Sequence, residues 1–217
     1  MKKLRLLFFL LLGFITGSAQ PERFSGEIKA FKKQDSIHPP PQNAILLIGS
    51  SSFTKWTDVQ DYFPGHTIIN RGFGGSTLPD LIYFVKDVII PYHPKQIIIY
   101  CGDNDFVAPG GATAAIVVER VKQLFQLIRA QYPKVPVAYV SIKPSPSREK
   151  FLPLVKEANA MIKQLTEKEK HISFINIFDA MLNTDGSINK DIFLSDNLHM
   201  NAKGYKIWAD IMKPYLK

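Results

Sequence analysis

The sequence predicts an α/β fold, a single domain of three layers (α/β/α) built around a mainly five-stranded parallel sheet. Short apolar runs rich in Ile, Val and Tyr alternate with longer segments whose apolar residues recur at helical spacing. This alternation is typical of a parallel sheet covered by helices on both faces. The 217 residues contain no internal repeat and no linker, and this length fits one domain.

The first element predicted along the chain is a secretory signal peptide over residues 1–19. Three basic residues at positions 2–5 precede an apolar run over residues 6–15, and small residues follow at 17–19. The run is short for a spanning helix, so we expect no stable membrane anchor after cleavage, and an uncleaved anchor is the alternative. No Cys follows the run to carry a lipid. We therefore expect an exported protein, periplasmic or secreted.

Residues 20–42 are polar and proline-bearing, and they predict an N-terminal arm with a short helix around residues 24–33. The remaining residues, 43–217, are predicted to form the globular domain. Its five predicted strands are residues 44–48, 67–70, 96–100, 135–140 and 172–177. Its three predicted long helices are residues 112–132, 149–168 and 202–215.

Charge and cysteine content exclude some classes of protein. The net charge of +8 falls to +5 without residues 1–19, which hold three basic residues and no acidic one. The remaining lysines are scattered, with no basic stripe interleaved with aromatics, so we expect no nucleic-acid partner. The single cysteine, Cys101, excludes an intramolecular disulfide and is predicted to be a small buried core residue.

Four polar motifs follow the predicted strands. Ligands of open parallel sheets bind outside the carboxyl ends of the strands, so we expect these loops to meet on one rim. The motifs are Gly49-Ser50-Ser51-Ser52 after the first strand, Gly72-Phe73-Gly74-Gly75 after the second, Gly102-Asp103-Asn104-Asp105 after the third, and Asp196-Asn197-Leu198-His199 before the last helix.

These motifs contain the parts of a serine hydrolase. A serine hydroxyl becomes a good nucleophile when an imidazole takes its proton, and a carboxylate holds that imidazole in the required tautomer. Asp196 and His199 are three residues apart and can meet through local backbone geometry. A serine after an apolar strand, at the start of a helix, would have free backbone N–H groups beside it to hold an oxyanion.

The four motifs, in this order, resemble the four blocks of the SGNH hydrolase superfamily, also called GDSL-like lipases and acylhydrolases. The likeness covers the chain from about residue 44 onwards. The third and fourth blocks match as GxND and DxxH. The first departs from the family, because the usual Gly-Asp-Ser-Leu is replaced by Gly-Ser-Ser-Ser. The resemblance implies a flavodoxin-like sheet, the SGNH hydrolase fold.

The resemblance also implies roles for individual residues. The nucleophile aligns with Ser51, although the adjacent Ser50 and Ser52 remain open as alternatives. His199 would be the general base, and Asp196 would orient it. The oxyanion hole would consist of the Ser51 and Gly75 N–H groups and the Asn104 side-chain amide. Arg71 and Phe73, on either side of Gly72, are further candidates for substrate contact.

Each motif also has a structural explanation. The serines of the first motif could cap a helix, and Asn104 near Gly102 could belong to an ordinary turn. The glycine-rich second motif could bind phosphate, although no Lys-Ser/Thr pair follows it as in a phosphate-binding loop. Asp103 and Asp105 suggest a metal, but the five histidines show no ligand spacing, so we expect none. Asn183-Thr184-Asp185-Gly186 lacks the preceding carboxylate of a calcium loop and predicts a tight turn.

The sequence therefore predicts an exported serine esterase that needs no cofactor and acts on a small-molecule or oligosaccharide ester. Export and the lack of a long apolar lid insertion favour a small acyl group on a carbohydrate. The alternatives are a lysophospholipase- or thioesterase-type acylhydrolase, a non-catalytic carbohydrate-binding member of the same fold, and a nucleotide- or phosphate-binding protein.

Overall fold

The computed structural model describes residues 21–217 and has a five-stranded parallel sheet at its centre. The strand order is β2-β1-β3-β4-β5, and every pairing between neighbours is parallel. The predicted α/β class and the five strands are confirmed, with boundaries that shift by up to two residues. The strands are β1 (Ile45–Gly49), β2 (Ile68–Gly72), β3 (Gln96–Tyr100), β4 (Val137–Val140) and β5 (Ile172–Ile175).

Helices cover both faces of the sheet, which confirms the three-layer architecture. Alternate residues of a strand point to opposite faces, so each central strand contributes to two separate cores. Leu46 and Ile48 of β1 face one core, and Ile45 and Leu47 face the other. The first core lies under helices α1 (Pro21–Ile37), α4 (Leu78–Tyr83), α5 (Val85–Val88), α6 (Ala114–Gln131) and α7 (Leu152–Lys168), and the second under α2 (Ser51–Thr54), α3 (Val59–Tyr62) and α8 (Ala202–Met212).

The three long predicted helices are present but shorter than their apolar patterns. Thr113 caps α6 by accepting a hydrogen bond from the Ile116 N–H. A 3₁₀ segment, Pro146–Phe151, precedes α7, and another, Lys213–Tyr215, follows α8. Each 3₁₀ segment places a partly buried aromatic, Phe151 or Tyr215, against a core, so the apolar pattern in the sequence extends past the α-helix itself.

The N-terminal helix α1 is longer than the predicted short helix at residues 24–33, and it packs on the domain. Phe24 is 1% exposed and lies edge-on against Phe73, with ring centroids 5.0 Å apart. Ile28 is buried in the same core, and Asp35 forms an ion pair with Arg71. The predicted signal peptide lies outside the described residues. None of the helices in residues 21–217 is long and apolar enough to cross a membrane.

Cys101 is fully buried at the end of β3, which confirms the prediction of a core residue. Its Sγ lies 3.7 Å from the Ser76 carbonyl oxygen. Burial raises the pKa of the thiol well above its usual value, so it is held in the unreactive protonated form.

Candidate active site

The four motifs meet at the carboxyl edge of the sheet. Strand β1 lies between β2 and β3, so the loops after these three strands are neighbours. The turn before α8, near the C-terminus of the chain, contributes Leu198 and His199 to the same edge. Together they form an open cavity of about 420 Å³. Its lining consists of Arg23, Ser51, Gly75, Thr77, Asn104, Val107, Ala108, Pro109, Arg148, Leu198 and His199.

Ser51, His199 and Asp196 form one hydrogen-bonded chain. The Ser51 Oγ lies 2.8 Å from His199 Nε2, although the two residues are 148 positions apart in the sequence. The other ring nitrogen, His199 Nδ1, lies 2.6 Å from Asp196 Oδ2. This is the arrangement in which a hydroxyl can lose its proton to an imidazole that a carboxylate orients.

The backbone around Asp196 holds its carboxylate in place. Asn197 adopts the left-handed conformation, with φ of 54°, and turns the chain back toward His199. Asp196 Oδ1 accepts hydrogen bonds from the Leu198 and His199 N–H groups, both at 3.0 Å. Partial burial opposes the charged form, but these bonds and the His199 ring outweigh it and hold the pKa of the Asp196 carboxyl well below its usual range. Asp196 is therefore ionised when it faces the imidazole.

Of the three adjacent serines, Ser51 is the one that contacts His199. Ser50 is the N-cap of α2, and Ser50 and Ser52 are each only 1% exposed, whereas Ser51 faces the cavity as the first residue of the helix. The tight strand-to-helix turn depends on Gly49, whose φ is 139°. A Cβ there would lie 1.8 Å from the Tyr100 carbonyl oxygen, so no other residue fits.

Gly75 brings the glycine loop to the edge of the same cavity. Its φ of 81° is a conformation that glycine adopts without strain. A Cβ at this position would lie 2.7 Å from the Arg23 guanidinium, which covers the Cα from the direction of helix α1. Neither the Gly75 N–H nor the Ser51 N–H is hydrogen-bonded to another backbone group within residues 21–217.

The Asn104 side chain reaches the cavity from the loop after β3. Its Nδ2 donates to Ser50 Oγ at 2.7 Å and to the Ser76 carbonyl at 2.8 Å. Its Oδ1 accepts a hydrogen bond of 2.7 Å from an Arg148 guanidinium nitrogen. All of its strong hydrogen-bonding groups therefore have partners, and the amide is fixed in one orientation.

A buried charged cluster lies behind Asn104. Asp103 Oδ2 forms ion pairs with Lys143 at 3.1 Å and with Arg148 at 2.9 Å, and it accepts a hydrogen bond from the Tyr100 hydroxyl at 3.2 Å. Burial opposes ionisation of Asp103, but the two cations outweigh it and lower the pKa of the carboxyl. Two cationic side chains thus share one carboxylate. This cluster fixes Arg148 against Asn104.

Sequence reasoning missed Arg23, Lys143 and Arg148. Lys143 and Arg148 follow β4, whose carboxyl end lies on the same edge as the four motifs, so the rule that located the other loops also applies to this one. Arg23 lies on α1 and had no comparable signal, because its position depends on how α1 packs.

A family model for the GDSL-like lipase/acylhydrolase family matches residues 48–207, a span that includes all four motifs. The chain belongs to this family. It is therefore a member of the SGNH hydrolase superfamily. No curated protein matches the chain significantly.

Solved structures share the fold of this GDSL-like acylhydrolase at low sequence identity. A candidate platelet activating factor from Streptococcus pneumonia is 21% identical, with a TM-score of 0.77 over 90% of this chain and 94% of that one. A GDSL-like lipase from Bacteroides thetaiotaomicron is 20% identical, with a TM-score of 0.73 over 87% and 96%. A family 3 carbohydrate esterase from Talaromyces cellulolyticus is 16% identical, with a TM-score of 0.62 over 79% and 95%.

Arg71 and Phe73, which the sequence offered only as candidates for substrate contact, lie away from the cavity of this GDSL-like acylhydrolase. Both are buried, and neither lines the cavity. Arg71 lies in β2, where its side chain pairs with Asp35 and donates a 2.7 Å hydrogen bond to the Tyr92 hydroxyl. Alternation along the strand turns Arg71 away from the site, and Phe73 packs under α1.

Asp105, the last residue of the third motif, connects helices α4 and α6 in this acylhydrolase. Its Oδ2 accepts a 3.0 Å hydrogen bond from the Leu78 N–H at the start of α4, and its Oδ1 pairs with Arg120 at 2.6 Å. Burial raises the pKa of the carboxyl to about 6, despite these contacts. Within residues 21–217, no group of three His, Cys, Asp or Glu side chains is placed to hold a metal ion.

The segment Asn183-Thr184-Asp185-Gly186 forms the predicted tight turn. The Gly186 N–H donates to the Asn183 carbonyl at 2.9 Å, and Gly186 has a φ of 82°. Asp185 accepts hydrogen bonds from the backbone and hydroxyl of Ser187.

Proposed function

We propose that this GDSL-like acylhydrolase is an exported serine esterase that removes small acyl groups, acetyl first among them, from carbohydrates or similar soluble molecules. The observation that carries the proposal is the chain of contacts from Ser51 Oγ to His199 Nε2 and from His199 Nδ1 to Asp196, at 2.8 Å and 2.6 Å. In this proposal Ser51 is the nucleophile, His199 the general base and Asp196 the residue that orients it.

The proposed reaction has two stages. Ser51 Oγ attacks the ester carbonyl carbon while His199 Nε2 takes the hydroxyl proton, and the carbonyl π electrons move onto the oxygen. The tetrahedral intermediate then expels the alcohol, which leaves with the proton from the imidazolium. In the second stage His199 removes a proton from water, the hydroxide attacks the acyl-serine, and Ser51 leaves with the proton returned to it. The chemistry needs no cofactor.

Three donors support stabilisation of the oxyanion. Ser51 and Gly75 line the cavity, and their backbone N–H groups have no backbone acceptor among the described residues. Asn104 lines the same cavity, and the Nδ2 N–H that it donates to Ser50 Oγ can also be donated to the oxyanion. A preorganised donor of this kind lowers the barrier by about 3 kcal/mol.

The cavity supports a small acyl group and a polar alcohol portion. Val107, Ala108 and Pro109 form an apolar wall that an acetyl group can contact. The remainder is mostly polar and includes Thr77 and Arg148, with Gly75 and Leu198 as the exceptions. A family 3 carbohydrate esterase shares the fold, which is consistent with a carbohydrate ester.

A series of esters that differ in acyl length tests the substrate class. We expect the highest kcat/KM on acetyl esters of oligosaccharides and a steep decrease as the acyl chain lengthens. Efficient cleavage of long-chain esters or lysophospholipids, with no release of acetate from acetylated oligosaccharides, would favour the lysophospholipase alternative. A thioester series with the same acyl groups tests the thioesterase alternative.

Labelling with a serine-directed phosphonate separates an enzyme from a non-catalytic carbohydrate-binding protein. The proposed esterase reacts at Ser51, and Ser51→Ala abolishes the label. A folded protein that binds acetylated sugars but does not react with the phosphonate would contradict the proposal.

A further inference from the structure

Two arginines line the cavity that contains Ser51 and His199. Arg23 enters from helix α1, and Arg148 enters from the segment after β4. Among the described residues that line this cavity, none is an Asp or a Glu. The groups that a substrate meets there are therefore cationic or neutral.

Arg148 is already engaged by the protein. One guanidinium nitrogen donates to Asn104 Oδ1 at 2.7 Å, and another lies 2.9 Å from Asp103 Oδ2. Lys143 shares the same carboxylate at 3.1 Å. Arg148 is therefore a fixed part of the wall, and the excess of cations over carboxylates gives this wall a positive potential.

Arg23 is not engaged in this way. Its side chain is exposed, and its guanidinium lies over Gly75, 2.7 Å from the place of a Cβ. It rests above the ring of Phe24, 4.8 Å from the ring centroid, and Phe24 is anchored in the core. Within residues 21–217, no carboxylate forms an ion pair with Arg23.

A guanidinium of this kind is suited to an anion. Its N–H donors form a planar fork that matches the oxygens of a carboxylate or a phosphate. Because Arg23 covers Gly75, an anion bound to it would lie next to the donors of the proposed oxyanion hole. A negatively charged group on the ester substrate itself can therefore reach Arg23.

We propose that Arg23 binds an anionic group of the substrate, so that the preferred substrate is an ester of a molecule that also carries a negative charge, such as an acylated acidic sugar. This inference rests on the esterase activity proposed above. It adds a charge requirement that the family, the fold and the three reacting side chains do not themselves impose.

Two acetylated sugars that differ in charge provide the test. Acetylated glucuronic acid and acetylated glucose have the same kind of leaving alcohol, and only the first carries a carboxylate. At low salt we expect wild-type kcat/KM to be about tenfold higher for the charged ester, since a charge-assisted hydrogen bond contributes on this scale. The preference should decrease as salt is added. A third ester, acetylated glucose 6-phosphate, separates the two sources of anion, since the charged ester with the higher kcat/KM identifies the group that Arg23 binds.

Variants assign the preference to Arg23. Arg23→Gln should lower kcat/KM for the charged ester about tenfold, mainly through KM, and leave the neutral ester within about twofold. Arg23→Lys keeps the charge and should retain part of the preference. Lys134→Gln removes the same charge from an exposed position just before β4, at the opposite edge of the sheet, and should change neither value.

Equal kcat/KM for neutral and charged esters in the wild type would overturn the inference. So would an equal loss on both esters in Arg23→Gln, which would instead assign Arg23 to the oxyanion hole or to folding. Both outcomes leave the esterase proposal intact, provided that Ser51→Ala abolishes hydrolysis of the neutral ester. If the wild type cleaves none of these esters, the proposed function fails and the inference fails with it.

Discussion

Asn104 donates a 2.7 Å hydrogen bond to Ser50 Oγ, so the serine just before Ser51 holds an amide that faces the cavity. Ser51 itself contacts His199. The two adjacent serines therefore have different tasks, although the sequence alone left both open as the nucleophile. An oxyanion in the cavity would compete with Ser50 Oγ for one N–H of Asn104.

The first prediction concerns the three serines. Ser51→Ala should lower kcat at least about 10³-fold, because it removes the proposed nucleophile. Ser50→Ala should change kcat by less than about tenfold, since it removes only an acceptor of the Asn104 amide. Ser52→Ala should retain activity, because Ser52 is buried and does not line the cavity. Steady-state kinetics on one acetyl ester measures all three, and a larger loss in Ser50→Ala than in Ser51→Ala would reverse the assignment.

The second prediction concerns Asp196. Asp196→Asn should lower kcat by about 10²- to 10⁴-fold, because the amide does not hold the imidazole in the required tautomer. The side chain is 44% exposed, so the thermal unfolding midpoint should change little. Asp210→Asn is the matched control, because Asp210 is an exposed carboxylate that also has cationic partners, Lys206 and Lys213. Equal kcat in the two variants would show that Asp196 has no part in the reaction.

The third prediction is that Arg148 acts through Asn104 as a positioning residue. Asn104→Ala should lower kcat about 100-fold, and Arg148→Ala about tenfold, with KM within about threefold of the wild type. Combining the two should add little to the effect of Asn104→Ala alone, because the same amide is affected. Arg148→Lys keeps the charge beside Asp103 but loses the planar fork of the guanidinium. Compared with Arg148→Ala, it should therefore restore stability more fully than it restores kcat. Fully additive losses in the double variant would contradict this role.

The fourth prediction concerns the pH dependence of stability. The pKa of Asp105 is about 6 in the folded protein and near its ordinary value, below 4, when unfolded. Between these two values the folded state binds more protons, so the free energy of unfolding should fall as pH rises, by up to about 3 kcal/mol. Asp105→Asn removes this titration. The free energy of unfolding of both proteins is measured in urea from pH 4 to 7. The difference between wild type and variant should change between the two pKa values. A difference that stays constant with pH would exclude the assignment.

The fifth prediction concerns the contribution of α1. Phe24→Ala should lower the free energy of unfolding by about 3 to 5 kcal/mol, because it removes a buried ring that packs on Phe73. Ile37→Ala, at the other end of the same helix, should change it by less than about 0.5 kcal/mol, since Ile37 is exposed. Denaturant unfolding of both variants measures the difference. A small effect of Phe24→Ala would mean that α1 is only loosely attached.

Much of the sheet could be predicted because buried parallel strands are continuous apolar runs. Strand β3 matches its predicted residues fully, at Gln96–Tyr100. The meeting of Ser51 and His199 follows from the same topology, since both lie in loops at one edge. Helices α2 to α5 have four to six residues, too few for a helical repeat to be visible in the sequence.

The remaining parts of the site depend on contacts between distant residues. Arg148 and Asn104 are 44 positions apart, and no local pattern relates them. Arg71 shows the opposite case. It directly precedes the glycine motif in the sequence, but its side chain points to the face of the sheet that α1 covers, where it pairs with Asp35. The alternation of side-chain directions along β2 predicts this placement.

The two ends of the described chain lie at opposite edges of the sheet. Arg23, near the start of α1, borders the cavity, whereas Gln96 at the start of β3 holds Tyr215 and Lys217 through its side-chain amide, at 2.7 Å and 2.9 Å. A purification tag joined ahead of α1 would therefore lie beside the proposed substrate entrance and place its own charges there. The same tag placed after Lys217 would leave the entrance clear, so kinetic constants measured with the two designs should differ, most of all for charged esters.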